Sequence, residues 1–124
     1  MVHIPAELQK RAEAAAPLEL ELLFKPMFGG VGAYANGRMF MSLSDVGLAL
    51  KLGEEERARL LKLRGAKPLQ YEPNSPPSKS YVVVPDSMLS DRALLNRWIG
   101  ISATFVNTEP AKKPKKRAAK PGRI

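Results

Sequence analysis

The feature that most constrains the fold of this chain is a glycine-dense apolar run that turns back on itself at an Asn-Gly pair. The run spans residues 27–40 and places Asn36-Gly37 between two segments of apolar and small residues. Asn-Gly is the strongest short-range signal of a β-hairpin, because a two-residue type I′ turn needs positive φ at both central positions. We therefore expect two antiparallel strands here, over 30–35 and 38–43.

Helices and further strands are predicted on both sides of this hairpin. The expected elements are a helix over 5–16, strands over 30–35, 38–43 and 46–52, a helix over 54–64, strands over 69–72 and 80–84, and a last helix that begins after Ser90 or Asp91. Residues 18–24 alternate leucine with glutamate in part, which favours an extended segment. Pro26 follows, and because proline lacks an N–H it suits a sheet edge or a bend.

The last helix carries a predicted apolar stripe. Leu94, Trp98, Ile101 and Phe105 lie at spacings of four, three and four residues, which matches the helical period. The whole order is then α-β-β-β-α-β-β-α. This order predicts an α+β domain of two layers, in which helices cover a single antiparallel sheet.

The positive charge of the chain is concentrated at its C-terminal end. The formal net charge is +8, of which residues 107–124 contribute seven basic and one acidic side chain and residues 1–106 contribute 13 basic and 11 acidic ones. Residues 107–124 therefore carry a net charge of +6, and residues 1–106 carry only +2. We expect a folded domain over 1–106 and a disordered basic tail over 107–124, since like charges and few apolar side chains do not offset the entropy of ordering.

Composition excludes several classes of protein. The chain has no cysteine, so disulfides, zinc-thiolate sites and thiol catalysis are excluded. Its one histidine, His3, lies beside an N-terminus that we expect to be frayed, so we expect no metal site and no cofactor. Apolar runs are too short to span a bilayer, and no basic region precedes an apolar one as in a signal peptide. A soluble, cytoplasmic protein without membrane contact is expected.

Several residue groups invite a chemical interpretation that the pattern does not favour. Residues 30–35 match a glycine-rich dinucleotide fingerprint, but a hairpin follows them, and the mechanism needs a helix N-terminus. Residues 54–56 are three glutamates that suit the positive end of a helix dipole. Tyr71 and Tyr81 lie in expected strands without a ribonucleoprotein motif, so packing against a helix is favoured over RNA stacking. The methionines near the hairpin are expected mainly in the core, with any exposed ones open to a partner.

A specific set of segments resembles a known family. The segments are Met27-Phe28-Gly29-Gly30, Asn36-Gly37-Arg38-Met39-Phe40, Leu48-Ala49-Leu50-Lys51, Pro68-Leu69-Gln70-Tyr71, Ser80-Tyr81-Val82-Val83-Val84-Pro85 and Leu94-Leu95-Asn96-Arg97-Trp98. Over residues 24–105 the chain resembles the N-terminal domain of the TfoX/Sxy competence regulators. The resemblance implies a bacterial, cytoplasmic, non-enzymatic protein tied to regulation of DNA-uptake genes, with a fold similar to type III secretion chaperones.

The same resemblance implies roles for its motif residues. Members of the family often occur as stand-alone domains of unassigned role, and full-length members carry a second helical domain where this chain has its basic tail. The matching residues are interpreted as determinants of the fold and not as a site. They are Met27, Phe28, Gly29, Gly30, Gly37, Met39, Phe40 and Trp98.

Three functional hypotheses follow. The first is a non-enzymatic regulatory or adaptor domain, with a protein partner or a second copy of the chain, whose tail gives weak, sequence-independent affinity for nucleic acid. The candidate nucleic-acid contacts are Lys112, Lys113, Lys115, Lys116, Arg117, Lys120 and Arg123. The second is direct nucleic-acid binding by a folded face together with the tail. The third is a small-molecule binder or enzyme, which would need an apolar pocket with convergent polar groups.

Overall fold

The computed structural model describes residues 3–18, 20–27, 30–70 and 74–108. Its elements are α1 (Pro5–Ala15), β1 (Leu22–Met27), β2 (Gly30–Ala35), β3 (Arg38–Ser44), β4 (Gly47–Lys51), α2 (Glu54–Leu61), β5 (Lys67–Pro68), β6 (Tyr81–Val83), α3 (Asp86–Leu89) and α4 (Arg92–Thr108). Among these residues the strands form one sheet in the order β1-β2-β3-β4-β6-β5. Every neighbouring pair is antiparallel. The α+β fold is therefore confirmed.

The predicted hairpin at Asn36-Gly37 is confirmed. Asn36 has φ of 54° and Gly37 has φ of 80°, the positive values that a two-residue I′ turn requires. β2 and β3 pair on either side of this turn, from Ala35 opposite Arg38 outward. Asparagine and glycine tolerate this region of φ and ψ at little cost, so the turn follows directly from the local sequence.

The helices cover one face of the sheet. α1 and α4 contact each other and both pack on β3 and β4. The residues of the sheet that meet them alternate along each strand, as a pleated strand requires. The side chains on this covered face that belong to the buried core include Ala33, Ala35, Met41, Leu43, Leu48, Leu50 and Val82.

The sheet has one more strand than expected and a weaker edge. The extended segment expected over 18–24 lies further along the chain as β1, which is an edge strand because it pairs only with β2. Pro26 lies within it, as an edge position allows. At the other edge, the strand expected over 69–72 is replaced by the two-residue β5 at Lys67–Pro68. Tyr71 and Glu72 lie outside the described residues.

The face of α4 that enters the core differs from the predicted stripe. Trp98 is buried as expected, but Leu95 and Ile99 are the other fully buried apolar residues of its first half. Leu94, like Ile101 and Phe105, is only half-buried. α4 begins where Asp91 Oδ1 accepts a hydrogen bond from the Leu94 N–H at 3.1 Å, as predicted from its capping propensity. α4 is apolar over a wide arc, so the spacing by itself did not identify the buried centre of that arc.

α4 also extends beyond the expected domain boundary. It ends at Thr108, two residues past position 106, so the first two residues of the basic tail (107–124) are helical. Val106 is 1% exposed and belongs to the core. The division into a domain over 1–106 and a disordered tail stays a prediction, because residues 109–124 lie outside the described part of the chain.

Candidate functional site on the open face of the sheet

The face of the sheet opposite the helices, the open face, has a floor of small residues. Gly32 on β2 lies opposite Ser42 on β3, and Ser42 lies opposite Ala49 on β4. Ser42 is 1% exposed and Ala49 is 0% exposed, although both face away from α1 and α4. Larger side chains from the surrounding segments must therefore cover this floor.

Two methionines lie across one end of the floor. A Cβ placed at Gly32 would lie 2.9 Å from Sδ of Met27 and 3.3 Å from Cε of Met39, so the thioethers occupy the space that a larger residue would need. Further along the same face, Nζ of Lys25 lies 5.0 Å from the ring centroid of Tyr34. Unbranched, polarisable methionine side chains adapt to irregular surroundings. Met27 and Met39 are half-buried, so they lie at the boundary between core and solvent.

Residues 69–70 and 74–80, which lie between β5 and β6 and are called the covering segment, bound a cavity of about 330 Å³ at the other end of the floor, the open-face cavity. Among the described residues, its lining consists of apolar and aromatic side chains and of uncharged polar ones. The first group is Met39, Leu69, Pro76 and Tyr81, and the second group is Ser42, Gln70, Ser75 and Ser78. The cavity therefore combines apolar walls with a few hydroxyl and amide groups, the general composition of a ligand site.

Hydrogen bonds hold the covering segment in place. The Leu69 N–H donates to the Tyr81 carbonyl at 2.9 Å, and the Leu69 carbonyl accepts from the Ser78 N–H at 2.7 Å. Ser78 Oγ accepts from the N–H groups of Ser80 and Tyr81, at 3.2 and 2.9 Å. Arg57 Nη2 donates to the Ser78 carbonyl at 3.1 Å. Ser78 thus joins the covering segment to α2 and, together with Leu69, to β6.

The placement of Tyr81 corrects one expectation. Tyr81 packs against a small cluster formed by Ala49, Leu69 and Val83, whereas the sequence favoured a helix as its packing partner. Val83 lies opposite Ala49 in the register of β4 and β6, which puts this cluster on the open face. The reason is the alternation of β6, in which Val82 takes the helix-covered side and its neighbours take the other.

His3 contacts two other parts of the fold, while residues 1 and 2, where fraying was expected, lie outside the described residues. Its backbone N–H donates to the Asp45 carbonyl at 3.0 Å, and its Nε2 lies 3.3 Å from Oδ1 of Asp86. These contacts join the start of the chain to the turn between β3 and β4 and to α3. Within the described ranges, no three histidine, aspartate or glutamate side chains come together as a metal site would require.

Three arginines of the folded part donate to backbone carbonyls. Arg11 Nη1 donates to Leu89 at 2.9 Å, and Arg38 Nη1 donates to Val106 at 2.7 Å. Leu89 ends α3 and Val106 lies in the last turn of α4, where unpaired carbonyls form the negative end of a helix dipole. Arg57 contributes the third such bond, to the covering segment. These cations have structural partners inside the fold.

Among the residues that the structure describes, the groups singled out from the sequence lie in separate elements. The predicted nucleic-acid residues, Lys112, Lys113, Lys115, Lys116, Arg117, Lys120 and Arg123, lie outside the described residues. Gly30 to Ala35 form β2 and lead through the hairpin into β3, so the glycine run meets a strand, as expected. Glu54, Glu55 and Glu56 occupy the first turn of α2, the position that favours acidic residues.

The open-face cavity was not identified from the sequence. One signal was present: Ser42 and Ser44 alternate with Met41 and Leu43. This alternation indicates that β3 has apolar side chains on one face and small polar side chains on the other. The segment that covers the floor gave no such signal, because its proline and serine residues are typical of any exposed loop. Tertiary hydrogen bonds, among them that of Leu69 with Tyr81, hold it over the sheet.

Comparison with known proteins gives one match. Within the described residues, no helix has the length and apolar character needed to cross a membrane. No curated protein and no solved structure matches the chain. A family model, described as the TfoX N-terminal domain, matches residues 6–106, which is most of the sequence and nearly all of the described fold. The chain therefore belongs to the TfoX N-terminal domain family.

Proposed function

We propose that the chain is a non-enzymatic regulatory or adaptor domain whose basic tail (107–124) gives it weak, sequence-independent affinity for nucleic acid. Membership of the TfoX N-terminal domain family supports a domain like those of competence regulators. In this proposal the protein acts in the bacterial cytoplasm, and its folded part binds a protein partner or a second copy of the chain.

The distribution of charge is the observation that carries the nucleic-acid part of the proposal. Residues 107–124 carry +6, whereas residues 1–106 carry +2. In the folded part, Arg11, Arg38 and Arg57 donate to backbone carbonyls, so their guanidinium groups are engaged within the domain. Lysine and arginine in a tail neutralise phosphates without reading base edges, which gives salt-dependent binding without sequence preference.

The test compares two full-length variants that lose the same charge. In the first, the four tail lysines 112, 113, 115 and 116 are changed to glutamine. In the matched control, four exposed lysines of the folded part, at positions 10, 62, 67 and 79, are changed to glutamine. Binding to two unrelated DNA duplexes is measured by fluorescence anisotropy between 50 and 200 mM salt.

We expect the unmodified chain to bind both duplexes equally and weakly. The slope of log K against log salt should be no steeper than about −6, from seven tail cations at roughly −0.9 each. The tail variant should lose most of the affinity, and the control should keep it. Equal loss in the control, or strong preference for one duplex, would instead favour direct recognition by the folded face.

The adaptor part is tested separately by affinity isolation from native cells with nuclease present. We expect the unmodified chain and the tail variant to retain the same protein, because the folded part is unchanged in both. An adaptor role would be contradicted if the chain with the unmodified tail retained proteins, but only without nuclease, and the tail variant retained none. In that case the retained proteins would have been carried by nucleic acid.

A further inference from the structure

We propose that the outer edge of β1 pairs antiparallel with the same edge of a second copy of the chain, so that two sheets join across a two-fold axis at Leu23. Among the described residues, β1 pairs with β2 alone, and the outer side of such an edge strand is a template for another strand. The inference rests on the proposed adaptor role and deepens it by naming the partner. It does not involve the basic tail.

The backbone groups on the outer side of β1 belong to its even-numbered residues. The two-residue turn closes on Ala35 and Arg38, and because such a closing pair exchanges both of its hydrogen bonds, the backbone groups of Ala35 point to β3. The N–H and C=O of the preceding residue, Tyr34, then point to β1. Since Tyr34 lies opposite Leu23, the odd-numbered residues of β1 bond to β2 and the even-numbered ones direct their backbone groups outward.

Pro26 agrees with this assignment and excludes one register of pairing. As an outward residue it has no N–H to give to β2, so its presence costs the sheet no hydrogen bond. Towards a second copy, however, it has a carbonyl but no donor. A pairing centred on Phe24 would place Pro26 opposite Leu22 of the second copy and would lose one hydrogen bond on each side of the axis.

A pairing centred on Leu23 uses the outward groups fully. It places Leu22 opposite Phe24 of the second copy, and both residues present an N–H and a C=O, so each of the two symmetric pairs exchanges both hydrogen bonds. A pairing centred on Leu22 would instead need the N–H of Leu20, which already donates to the Pro17 carbonyl at 3.1 Å. The backbone therefore favours the axis at Leu23.

Charge complementarity supports the same axis. Around Leu23, Glu21 lies opposite Lys25 of the second copy, and the two-fold axis repeats this pair. Both residues are exposed, and Nζ of Lys25 lies on the open face, 5.0 Å from the ring centroid of Tyr34. A lysine on an edge strand opposes pairing with most strands. Here the same edge supplies the acid that meets it, so the pairing is selective for a second copy.

Apolar contacts accompany the pairing on both faces of the joined sheet. Leu23 is 54% exposed and would meet Leu23 of the second copy on the axis. On the other face, Leu22 and Phe24 are half-buried at the margin of the core, and each would cover its counterpart. The interface is one strand wide, so we expect a dissociation constant on the order of 10–100 µM.

Sedimentation equilibrium of the full chain, freed of nucleic acid by nuclease, tests the inference. Lys25→Glu and Glu21→Lys should each weaken the dimer about tenfold, because each places like charges opposite one another. An equimolar mixture of the two variants should dimerise as tightly as the unmodified chain, since the mixed pair restores both opposite charges. Lys67→Glu is the matched control, on the exposed edge strand β5 at the other side of the sheet, and should change nothing.

A disulfide locates the axis. Because the chain has no cysteine, Leu23→Cys introduces a single thiol that the axis places directly opposite its own copy, within reach of a disulfide. With oxidised glutathione, this variant should form a covalent dimer on a non-reducing gel. Lys67→Cys should stay monomeric under the same conditions.

The inference is overturned if the unmodified chain stays monomeric up to about 500 µM, if mixing the two charge variants restores nothing, or if either change at Lys67 has the effect expected at β1. Loss of the dimer in the full-length variant with four tail lysines changed to glutamine would place the contact in the tail, and would overturn it as well. A monomeric chain would leave the adaptor role to a different protein partner, which affinity isolation tests separately.

Discussion

The hydroxyl of Ser102 donates a hydrogen bond to the carbonyl of Lys51, with 2.6 Å between Oγ and O. The same Oγ lies 3.2 Å from the carbonyl of Phe40, so one buried side chain on α4 meets two strands. Phe40 is the residue left unpaired where the register of β2 and β3 shifts, since Ala33 lies opposite Met41 and Tyr34 opposite Met39. Ser102 is 0% exposed and is thus the polar contact that fixes α4 over this irregularity.

Ser102→Ala should lower the free energy of unfolding by about 0.5–1.5 kcal/mol, because it removes a buried hydroxyl that donates a hydrogen bond to a backbone carbonyl. Thr104→Ala is the matched control, since Thr104 lies on the exposed side of the same helix and both changes raise helix propensity. Urea titrations of the two variants measure the difference. If both variants are equally stable, the bond between α4 and the strands contributes nothing.

Gly37→Val should destabilise the domain by about 1–3 kcal/mol, because a β-branched residue is strained at positive φ. A Cβ at Gly37 would meet nothing within 4 Å, so the cost is conformational and not a clash. Gly122→Val, in the basic tail, serves as the control and should have no effect. Thermal melts that show the same midpoint for both variants would contradict a turn that depends on positive φ.

Two glycines of β2 should respond very differently to alanine. A Cβ at Gly30 would collide with the backbone carbonyl of Leu43, whereas a Cβ at Gly32 would meet only the ends of Met27 and Met39. Flexible side chains can move aside, but a paired strand cannot without losing its register. We expect Gly30→Ala to cost about 3 kcal/mol and Gly32→Ala about 1 kcal/mol or less. Denaturant midpoints in the reverse order would show that β2 and β3 pair otherwise.

Arg38→Ala should destabilise the domain by about 1.5–3 kcal/mol, the usual range for a hydrogen bond to a charged group. It removes the cation that meets the Val106 carbonyl in the last turn of α4. Arg92→Ala removes the same charge from the exposed first residue of that helix, where a cation opposes the dipole. That control should be neutral or slightly stabilising, and equal losses in urea would contradict the role of Arg38.

The C-terminal boundary of the folded part can be located by truncation. A chain that ends at Thr108 should melt at the same temperature as the full chain, since the only large apolar side chain among residues 109–124 is that of the last residue, Ile124. A chain that ends at Thr104 loses the buried Val106 and should melt several degrees lower. If the chain that ends at Thr104 melted at the same temperature as the full chain, the boundary would lie before Val106. If the chain that ends at Thr108 melted at a lower temperature than the full chain, the tail would pack on the domain.

Elements that depend on local conformation were predicted well from the sequence. The turn at Asn36-Gly37 follows from the few residue types that accept positive φ, and the start of α4 follows from the capping carboxylate of Asp91. α1 begins at Pro5, as proline at an initial helical position predicts. In each case the physical preference belongs to neighbouring residues, so a short stretch of sequence is sufficient.

The tertiary structure decided which faces and partners those elements use. Leu95 and Ile99 form the buried centre of the apolar arc of α4, and Leu94 and Ile101 pack at its margin, because the direction of α4 is set by its packing on the sheet and not by its own spacing. The unpaired Phe40, the extra edge strand β1 and the open-face cavity all arise from pairings between residues distant in sequence. The sequence by itself determined the hairpin, the helices α1, α2 and α4 and the α+β class through local conformational preference, whereas the short α3 was not predicted. Register and burial were decided by long-range contacts, because they depend on which distant surfaces meet.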